Sequence, residues 1–165
     1  MLSMFTLESI LIFAILLGLS LSIGSFVGMA SYRIPRKINL GKTGYPYLLG
    51  GRSQCPQCHR DLRNRDLVPI LSYLLLRGKC FFCNKKISSR YLFIELAACA
   101  CFFTCILASN DNLVRITLFC FLVGLLLSST IDIEHGLLPD QITLPLLWIG
   151  LIVNLYLERV PLSAA

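Results

Sequence analysis

The feature that most constrains this chain is a set of long apolar runs with almost no charge. The first, 10–30, has no charged residue, and a helix of that length extends about 31 Å, enough to cross the apolar core of a bilayer. Similar runs cover 91–109 and 113–131, and a shorter one covers 142–157. Only 15% of the 165 residues are charged, against about 25% in soluble domains. We therefore predict an all-α integral membrane protein with about four transmembrane helices, rather than a soluble enzyme, a disordered chain or a secreted disulfide scaffold.

Positive charge is concentrated between the first two runs. Thirteen of the 15 Lys and Arg residues lie in 31–90 with only two acidic residues, so this segment has a formal charge of +11 and the rest of the chain −5. Basic residues beside membrane helices mark the cytoplasmic side. We expect 32–90 to form a cytoplasmic loop of a multi-pass membrane protein, and 132–140 to return to that side. The expected partner is the lipid bilayer and not nucleic acid.

The loop contains two CxxC pairs, a spacing typical of zinc sites. The four candidate ligands are Cys55, Cys58, Cys80 and Cys83. Because the reducing cytosol disfavours disulfides, the pairs predict a closed four-thiolate zinc site that organises the loop and does not catalyse. His59 is an alternative ligand, and a solvated side chain is the simpler interpretation of it.

Four other cysteines lie inside the apolar runs. They are Cys99, Cys101, Cys105 and Cys120. A thiol in such a helix usually serves as a small apolar side chain. Cys101 and Cys105 would share one helix face, so a redox or lipidated pair is the alternative interpretation.

A carboxylate stands at the end of the third apolar run. Asp132 is followed by Gly136 and Pro139, which should end or distort the helix. Asp132 either marks the helix end or, partly shielded by the bundle, serves as a general acid or base. A metal site formed with His135 and Asp140 is a further interpretation.

Two more acidic residues are given structural interpretations. Glu134 is two residues from Asp132 and would point to another side of the helix. Glu95 lies about one turn inside the second span, where it would snorkel to the interface or pair with a basic loop residue.

Three longer motifs follow one another along the chain. The end of the first helix reads GSFVGMASYRIP over 24–35. The loop adds NRDLVPILSY at 64–73 and LRGKCFFC at 76–83, and the third run ends with IDIEHGLLPD at 131–140. In this order the motifs resemble the type IV prepilin leader peptidases, which are membrane aspartic proteases. The family's first motif is GSFLNVVIYRLP, and Gly28 replaces its usual Asn.

The resemblance implies a function and a site. Asp132 takes the place of the family's first catalytic Asp, in an endopeptidase that cuts the leader of prepilin or pseudopilin precursors at the cytoplasmic membrane face. Zinc in the cysteine loop fits the same family. Many relatives also N-methylate the new terminus, which implies S-adenosylmethionine as a cofactor.

The family also has a second catalytic Asp, in a Gly-x-Gly-Asp motif that this sequence lacks. We therefore expect the N-terminal portion of a peptidase. It is a truncated gene product, a fragment whose partner is a separately encoded C-terminal half carrying the second Asp, or a clipped piece of a longer chain. The alternative is a non-catalytic zinc-containing membrane binding protein or an inactive relic. The expected parts are a first transmembrane helix (1–31), a cytoplasmic zinc-binding loop (32–90) and a truncated peptidase domain with three transmembrane helices (91–165).

Overall fold

The computed structural model describes residues 7–40, 52–55 and 57–157. These residues form five α-helices and one 3-10 helix. The α-helices are α1 (Leu7–Leu40), α2 (Leu71–Leu75), α3 (Arg90–Ala108), α4 (Asn112–His135) and α5 (Asp140–Leu157), and the 3-10 helix is Asn64–Leu67. Within this part of the chain the only β-type pairings are two isolated bridges in the cysteine loop, by which we mean the described residues between α1 and α3. The predicted all-helical class is confirmed.

Three of the helices are long and apolar enough to cross a membrane. They cover Glu8–Pro35, Arg90–Ala108 and Asn112–His135, and they coincide with the first three apolar runs. The run at 142–157 is also helical, but the apolar part of α5, Asp140–Leu155, is shorter. The described part of the chain thus has three membrane-capable helices and one shorter apolar helix.

The helix α1 is longer than its apolar run. It continues to Leu40, beyond the expected boundary at residue 31, even though Pro35 lies inside it. The ten residues after Ala30 extend α1 about 15 Å beyond the apolar run. The helix therefore continues past the predicted end of the span.

The helices α1, α3 and α4 pack on one another, and α5 packs on α4. The crossing of α1 and α3 is close because Gly24 has no side chain: a Cβ there would lie 2.9 Å from both the Cβ of Ala98 and the Cα of Glu95. At the contact of α4 with α5, Gly124 faces the side chain of Leu146. Small residues allow membrane helices to approach and gain van der Waals contact, which drives their packing where solvent does not.

The outer surface of the bundle is apolar. Its buried residues are few and mostly small, such as Val27, Ala30 and Ala98, whereas many Leu, Ile and Phe side chains are exposed. This distribution is the reverse of that in a soluble domain and fits helices whose outer face contacts lipid.

The polar residues at the predicted breaks start and end the helices. Asp111 accepts a hydrogen bond from the N–H of Leu113 at 2.9 Å and so caps α4. At the other end Gly136 is left-handed, with a φ of 59°, and its N–H donates to the carbonyl of Asp132 at 2.8 Å. The predicted end of this helix at Gly136 is confirmed.

Candidate metal centre and carboxylate site

The first CxxC pair lies in a tight turn closed by backbone hydrogen bonds. The N–H of Cys55 donates to the carbonyl of Arg60 at 3.0 Å, and the N–H of His59 donates to the carbonyl of Cys55 at 2.9 Å. A bridge between Gln54 and Asp61 extends the pairing outward. His59 has a φ of 54°, which lets the chain turn back directly after the pair.

The second pair repeats this turn 25 residues later in the sequence. The N–H of Cys80 donates to the carbonyl of Lys85 at 2.9 Å, the N–H of Asn84 donates to the carbonyl of Cys80 at 3.0 Å, and an isolated bridge again extends the turn. Asn84 has a φ of 54°, the same value as His59. The cysteine loop therefore contains two copies of one turn, each presenting two sulfur atoms.

The two turns bring four sulfur atoms together. The Sγ atoms of Cys55, Cys58, Cys80 and Cys83 all lie within 4.8 Å of one another, and those of Cys55 and Cys83 are 3.9 Å apart. A tetrahedral site with Zn–S bonds of about 2.3 Å has sulfur–sulfur edges of about 3.8 Å. The cluster can therefore hold a metal ion, as predicted. His59 is exposed and is not part of it.

Burial and crowding of the thiols disfavour four uncompensated thiolates. Cys55 and Cys80 are buried. The backbone N–H of Lys85 donates to the sulfur of Cys83 and lowers its pKa, but burial and the three neighbouring thiols raise the pKa of Cys83 to about 11. Four thiols in this arrangement do not ionise together unless a cation compensates their charge. A closed set of four ligands leaves no position for a substrate, so the chemistry fits a structural metal.

A stacked arginine holds the 3-10 helix against the second turn. The guanidinium of Arg63 lies 3.3 Å from the centroid of the Phe81 ring. It also donates two hydrogen bonds to the carboxylate of Asp66, at 2.9 and 3.1 Å. These hydrogen bonds hold the pKa of Asp66 below its ordinary value of 3.8. Arg63 thus connects the 3-10 helix to the turn that carries Cys80.

Glu95 connects the cysteine loop to the helices. It is buried in α3, and its Oε2 accepts a hydrogen bond from the N–H of Ile70 at 2.7 Å. The sequence predicts that Glu95 snorkels to the interface or pairs with a basic loop residue. The structure instead gives it a backbone partner, because the loop around Leu67 and Pro69 folds down against α1 and α3.

Arg90, the first residue of α3, connects this helix to α1 and α4. Its Nη2 donates to the Oγ of Ser31 in α1 at 2.7 Å, and its Nη1 lies 2.6 Å from Oε1 of Glu134 at the end of α4. The exit of the cysteine loop and the end of α4 therefore lie at the same end of the bundle. This agrees with the expectation that 132–140 returns to the side of the loop.

The sequence pattern does not assign this connecting role to Arg90. In the sequence Arg90 is a marker of topology and Ser31 lies within the motif at 24–35, but neither feature pairs the two residues. The available signal is the pairing of opposite charges at span ends: Arg90 opens one apolar run, and Glu134 closes another that reaches the same side. That pairing is sufficient to propose the contact from sequence alone.

Asp132 lies in the last turn of α4, at this same end. It is exposed, whereas Glu134 is turned toward Arg90, in agreement with the predicted divergence of the two carboxylates. The Nε2 of His135 lies 3.8 Å from Oε2 of Glu134. In the described part of the chain, Asp132, His135 and Asp140 do not converge into a metal site. The partial shielding predicted for a general acid or base is therefore not present at Asp132, whose side chain is open to contact from outside the bundle.

A cavity of about 300 Å³ lies between the cysteine loop and the helices α1 and α3. Its wall includes the buried Glu95, the basic Arg33 and Arg52, and the aromatic Tyr73 and Tyr91. The sequence does not predict this cavity because it forms between segments that are far apart along the chain.

The cysteines of the apolar helices are free thiols. They are Cys99, Cys101, Cys105 and Cys120. Cys105 is buried and Cys120 is exposed on the helix surface. Their interpretation as small apolar side chains stays a prediction.

Fold and site together define a helical protein of the membrane type, with a metal-capable cysteine loop and an exposed aspartate at one end of its bundle. Residues 18–109 match the bacterial peptidase A24 N-terminal domain, and residues 117–165 match the type IV leader peptidase family. The chain therefore belongs to the peptidase A24 family of type IV leader peptidases, and the resemblance drawn from the motifs is confirmed.

Several bacterial relatives carry the name prepilin leader peptidase/N-methyltransferase. The protein from Burkholderia pseudomallei K96243 is 38% identical over 94% of this chain and 55% of its own length. Those from Neisseria gonorrhoeae and Vibrio cholerae are 39% and 37% identical, over 89% and 86% of this chain and 57% and 55% of their own lengths. The chain thus spans about half the length of the curated relatives it matches. No solved structure matches it.

Proposed function

We propose that this chain is the N-terminal part of a prepilin leader peptidase and that Asp132 is one of two catalytic carboxylates. The observation that carries this proposal is the exposed Asp132 at the end of α4, within a segment that matches the type IV leader peptidase family. The relatives are named for that activity. The substrate class is therefore the precursor of a type IV pilin or a related pseudopilin.

Asp132 would act with a second carboxylate on a water molecule. In such a pair one carboxylate accepts the proton of the attacking water, and the other, protonated, donates to the departing amine. Glu134 is engaged by Arg90 and does not fit the second role. We assign that role to an Asp from the region of the relatives that lies outside the match.

We propose zinc as the metal of the cysteine loop, with a structural role. The ligands are Cys55, Cys58, Cys80 and Cys83, whose geometry suits a tetrahedral thiolate site. The loop and Asp132 would face the cytoplasm from the inner membrane, in accordance with the positive charge of 31–90. A prepilin leader that precedes an apolar helix would meet Asp132 there.

We propose methylation of the new N-terminus as a second activity, since the relatives are named N-methyltransferases. The methyl group would pass from the sulfonium of S-adenosylmethionine to the free amine, which loses a proton. The cavity of about 300 Å³ beside the cysteine loop has the volume of a small ligand site and is the candidate location.

The experiment that tests the peptidase proposal is cleavage of a prepilin in a peptidase-deficient cell. The chain replaces the matching portion of a relative, so that the relative supplies its remaining length. We expect cleavage by this fusion and complete loss of cleavage in Asp132→Asn, because the amide cannot accept a proton from water.

The matched control is Asp140→Asn, which changes another exposed carboxylate close to Asp132 in the sequence. This control is expected to cleave normally. Cleavage by the Asp132→Asn fusion would overturn the catalytic assignment, and a stable fusion that never cleaves would favour the non-catalytic binding protein or the inactive relic.

A further inference from the structure

The cysteine loop exposes a group of apolar side chains next to α2. We call residues 67–76 the leucine segment. Its outward side chains are Val68, Leu71, Leu74 and Leu75, which are 41%, 58%, 60% and 81% exposed. Four such residues together on a cytoplasmic loop would be an unusual surface in water.

The leucine segment has two different faces. Leu71, Leu74 and Leu75 have the i, i+3, i+4 spacing that puts side chains on one side of a helix. Ser72 and Tyr73 turn the other way and line the cavity beneath the loop. The outward face is therefore purely apolar, and the inward face is held by the loop itself.

The leucine segment lies at the depth of the membrane helices. The N–H of Ile70 donates to Glu95, which is five residues inside α3 from Arg90, or about 7 Å along the helix axis. Leu67 and Pro69 also line a small cavity with Phe26 of α1. Both neighbours belong to helices that are able to cross a membrane.

Backbone N–H groups of the leucine segment are hydrogen-bonded within the protein, as an apolar environment requires. The N–H groups of Ser72, Leu74 and Leu76 donate to carbonyls within the segment, at 3.1, 3.0 and 3.0 Å. The N–H of Ile70, which has no helical partner, is satisfied by Glu95. Internal pairing of the backbone is what permits a segment to enter the apolar part of a bilayer.

Basic residues flank the leucine segment. Arg65 precedes it, Arg77 and Lys79 follow it, and all three are exposed. An apolar helix face with basic residues at its edges is typical of elements that lie in the plane of a membrane surface, with the apolar side chains about 5–10 Å below the headgroups.

From these observations we infer that the leucine segment is a membrane-surface anchor, with its outward leucines among the acyl chains of the leaflet and its flanking cations at anionic headgroups. The inference rests on the proposed membrane placement of α1 and α3. It gives the cysteine loop a second attachment to the bilayer, between the two helices that bracket it.

Tryptophan fluorescence in lipid vesicles tests this anchor. The single Trp148 is first changed to Phe, and one Trp is then introduced as Leu75→Trp or, in a second variant, Leu71→Trp. The full chain is reconstituted in phosphatidylcholine and phosphatidylglycerol with brominated acyl chains, and acrylamide serves as the quencher from water.

Two control variants provide the reference positions. Phe103→Trp reports the lipid-facing surface of α3, and Phe82→Trp reports the cysteine loop away from the leucine segment. Zinc content confirms that each variant keeps its loop.

We expect brominated lipid to quench Leu75→Trp and Leu71→Trp as it quenches Phe103→Trp, and acrylamide to quench them far less than Phe82→Trp. Quenching of both leucine-segment variants by acrylamide to the level of Phe82→Trp, with Phe103→Trp still quenched by lipid, would overturn the anchor alone. Absence of lipid quenching in Phe103→Trp would overturn the membrane placement together with the anchor.

Discussion

At the scale of single residues, the position after each CxxC pair restricts the choice of residue through its backbone conformation. The residue there need not bind a metal. His59 lies beside Cys58 and is therefore a candidate metal ligand on sequence alone. In the structure it is exposed and has a positive φ, as does Asn84 at the equivalent place in the second turn. Asn and His enter this region more readily than most residues, which explains both choices. The role of His59 is conformational.

Substitutions of His59 should therefore follow backbone preference and not ligand chemistry. We expect His59→Gly to keep full zinc content and to be as stable as the wild type or more stable, whereas His59→Val should destabilise the loop by about 1–2 kcal/mol. Zinc analysis and thermal unfolding measure the two effects. Asn84→Gly and Asn84→Val provide the matched pair, and loss of zinc in His59→Gly would mean that the imidazole is a ligand.

The pair of Arg63 and Asp66 predicts a pH dependence. Since the pKa of Asp66 is lowered in the folded loop, its contribution to stability is fully present above the ordinary value of 3.8 and is lost as pH falls through the lower, folded value. We expect Asp66→Asn to destabilise the loop by about 1 kcal/mol. The difference from wild type should stay constant between about pH 7 and pH 5.

The measurement is proteolysis of the cysteine loop by a protease that cuts at apolar residues, at each pH. Asp61→Asn is the control, because Asp61 is exposed and lies 4.0 Å from Arg52. A difference for Asp66→Asn that disappears already near neutral pH would contradict the lowered pKa.

At the scale of elements, the bundle depends on the close crossing of α1 and α3. Gly24 faces Ala98 and the backbone of Glu95 so closely that a Cβ would have to displace one of the helices. Gly18 lies earlier on α1, and a Cβ added there would meet nothing within 4 Å. Position 24 therefore requires a residue without a side chain, whereas position 18 has space for one.

Alanine substitutions at these two positions distinguish the effect of packing on stability from the effect of helix propensity. We expect Gly24→Ala to destabilise the protein by about 1–3 kcal/mol through overpacking, and Gly18→Ala to leave it unchanged or to stabilise it by about 0.5–1 kcal/mol. Unfolding of the purified protein in detergent, followed by circular dichroism, measures both. Equal effects of the two substitutions would argue against the close crossing.

The long helices are predictable from sequence, whereas their connections are not. Uncharged runs of sufficient length leave few alternatives to a helix, and Gly136 marks the end of α4 correctly. The extension of α1 to Leu40 escapes prediction because the apolar run ends before the helix does. The hydrogen-bond partner of Glu95 is also not predictable, because the N–H of Ile70 comes within reach only when the loop folds against the bundle. The motifs locate the cysteine cluster because four thiols at that spacing have few other uses.

At the scale of the whole molecule, one guanidinium connects the parts. Arg90 contacts Ser31 within α1 and Glu134 in the last turn of α4, so the three membrane-capable helices meet at the first residue of α3. The Nε of Arg90 is buried without a hydrogen-bond partner in the described structure, and the side chain is therefore held by its terminal nitrogens. Movement of the end of α4, where Asp132 lies, away from α3 would break the contact of Glu134 with Arg90.

A double-mutant cycle between Arg90 and Glu134 measures this connection. We expect Arg90→Gln and Glu134→Gln each to destabilise the protein, and the double variant to be less destabilised than their sum by about 1 kcal/mol. Unfolding in detergent gives the four stabilities. Arg90→Gln paired with Asp140→Asn is the control and should show no coupling, and additivity between Arg90 and Glu134 would contradict the direct pair.

Removal of the metal should affect the loop and spare the helices. We expect about one zinc per chain, lost on chelation or in Cys55→Ser but retained in Cys120→Ser, whose thiol is on the surface of α4. Without zinc the loop should become sensitive to trypsin while the helical circular dichroism signal is largely kept, because α1, α3 and α4 pack on one another directly. Zinc retained in Cys55→Ser would refute the ligand set.

The two sulfur-bearing turns leave the ribosome at different times. They are 25 residues apart, so at about 5–20 residues per second the second follows the first by about 1–5 s. Two thiols cannot complete a four-ligand site. The first turn therefore stays without a complete metal site until the second turn has been made. A bound metal could close the loop only after Cys83 has emerged, and α3, which begins at Arg90, follows the loop out of the ribosome. Metal supply during translation would thus decide whether the loop is already closed when α3 emerges.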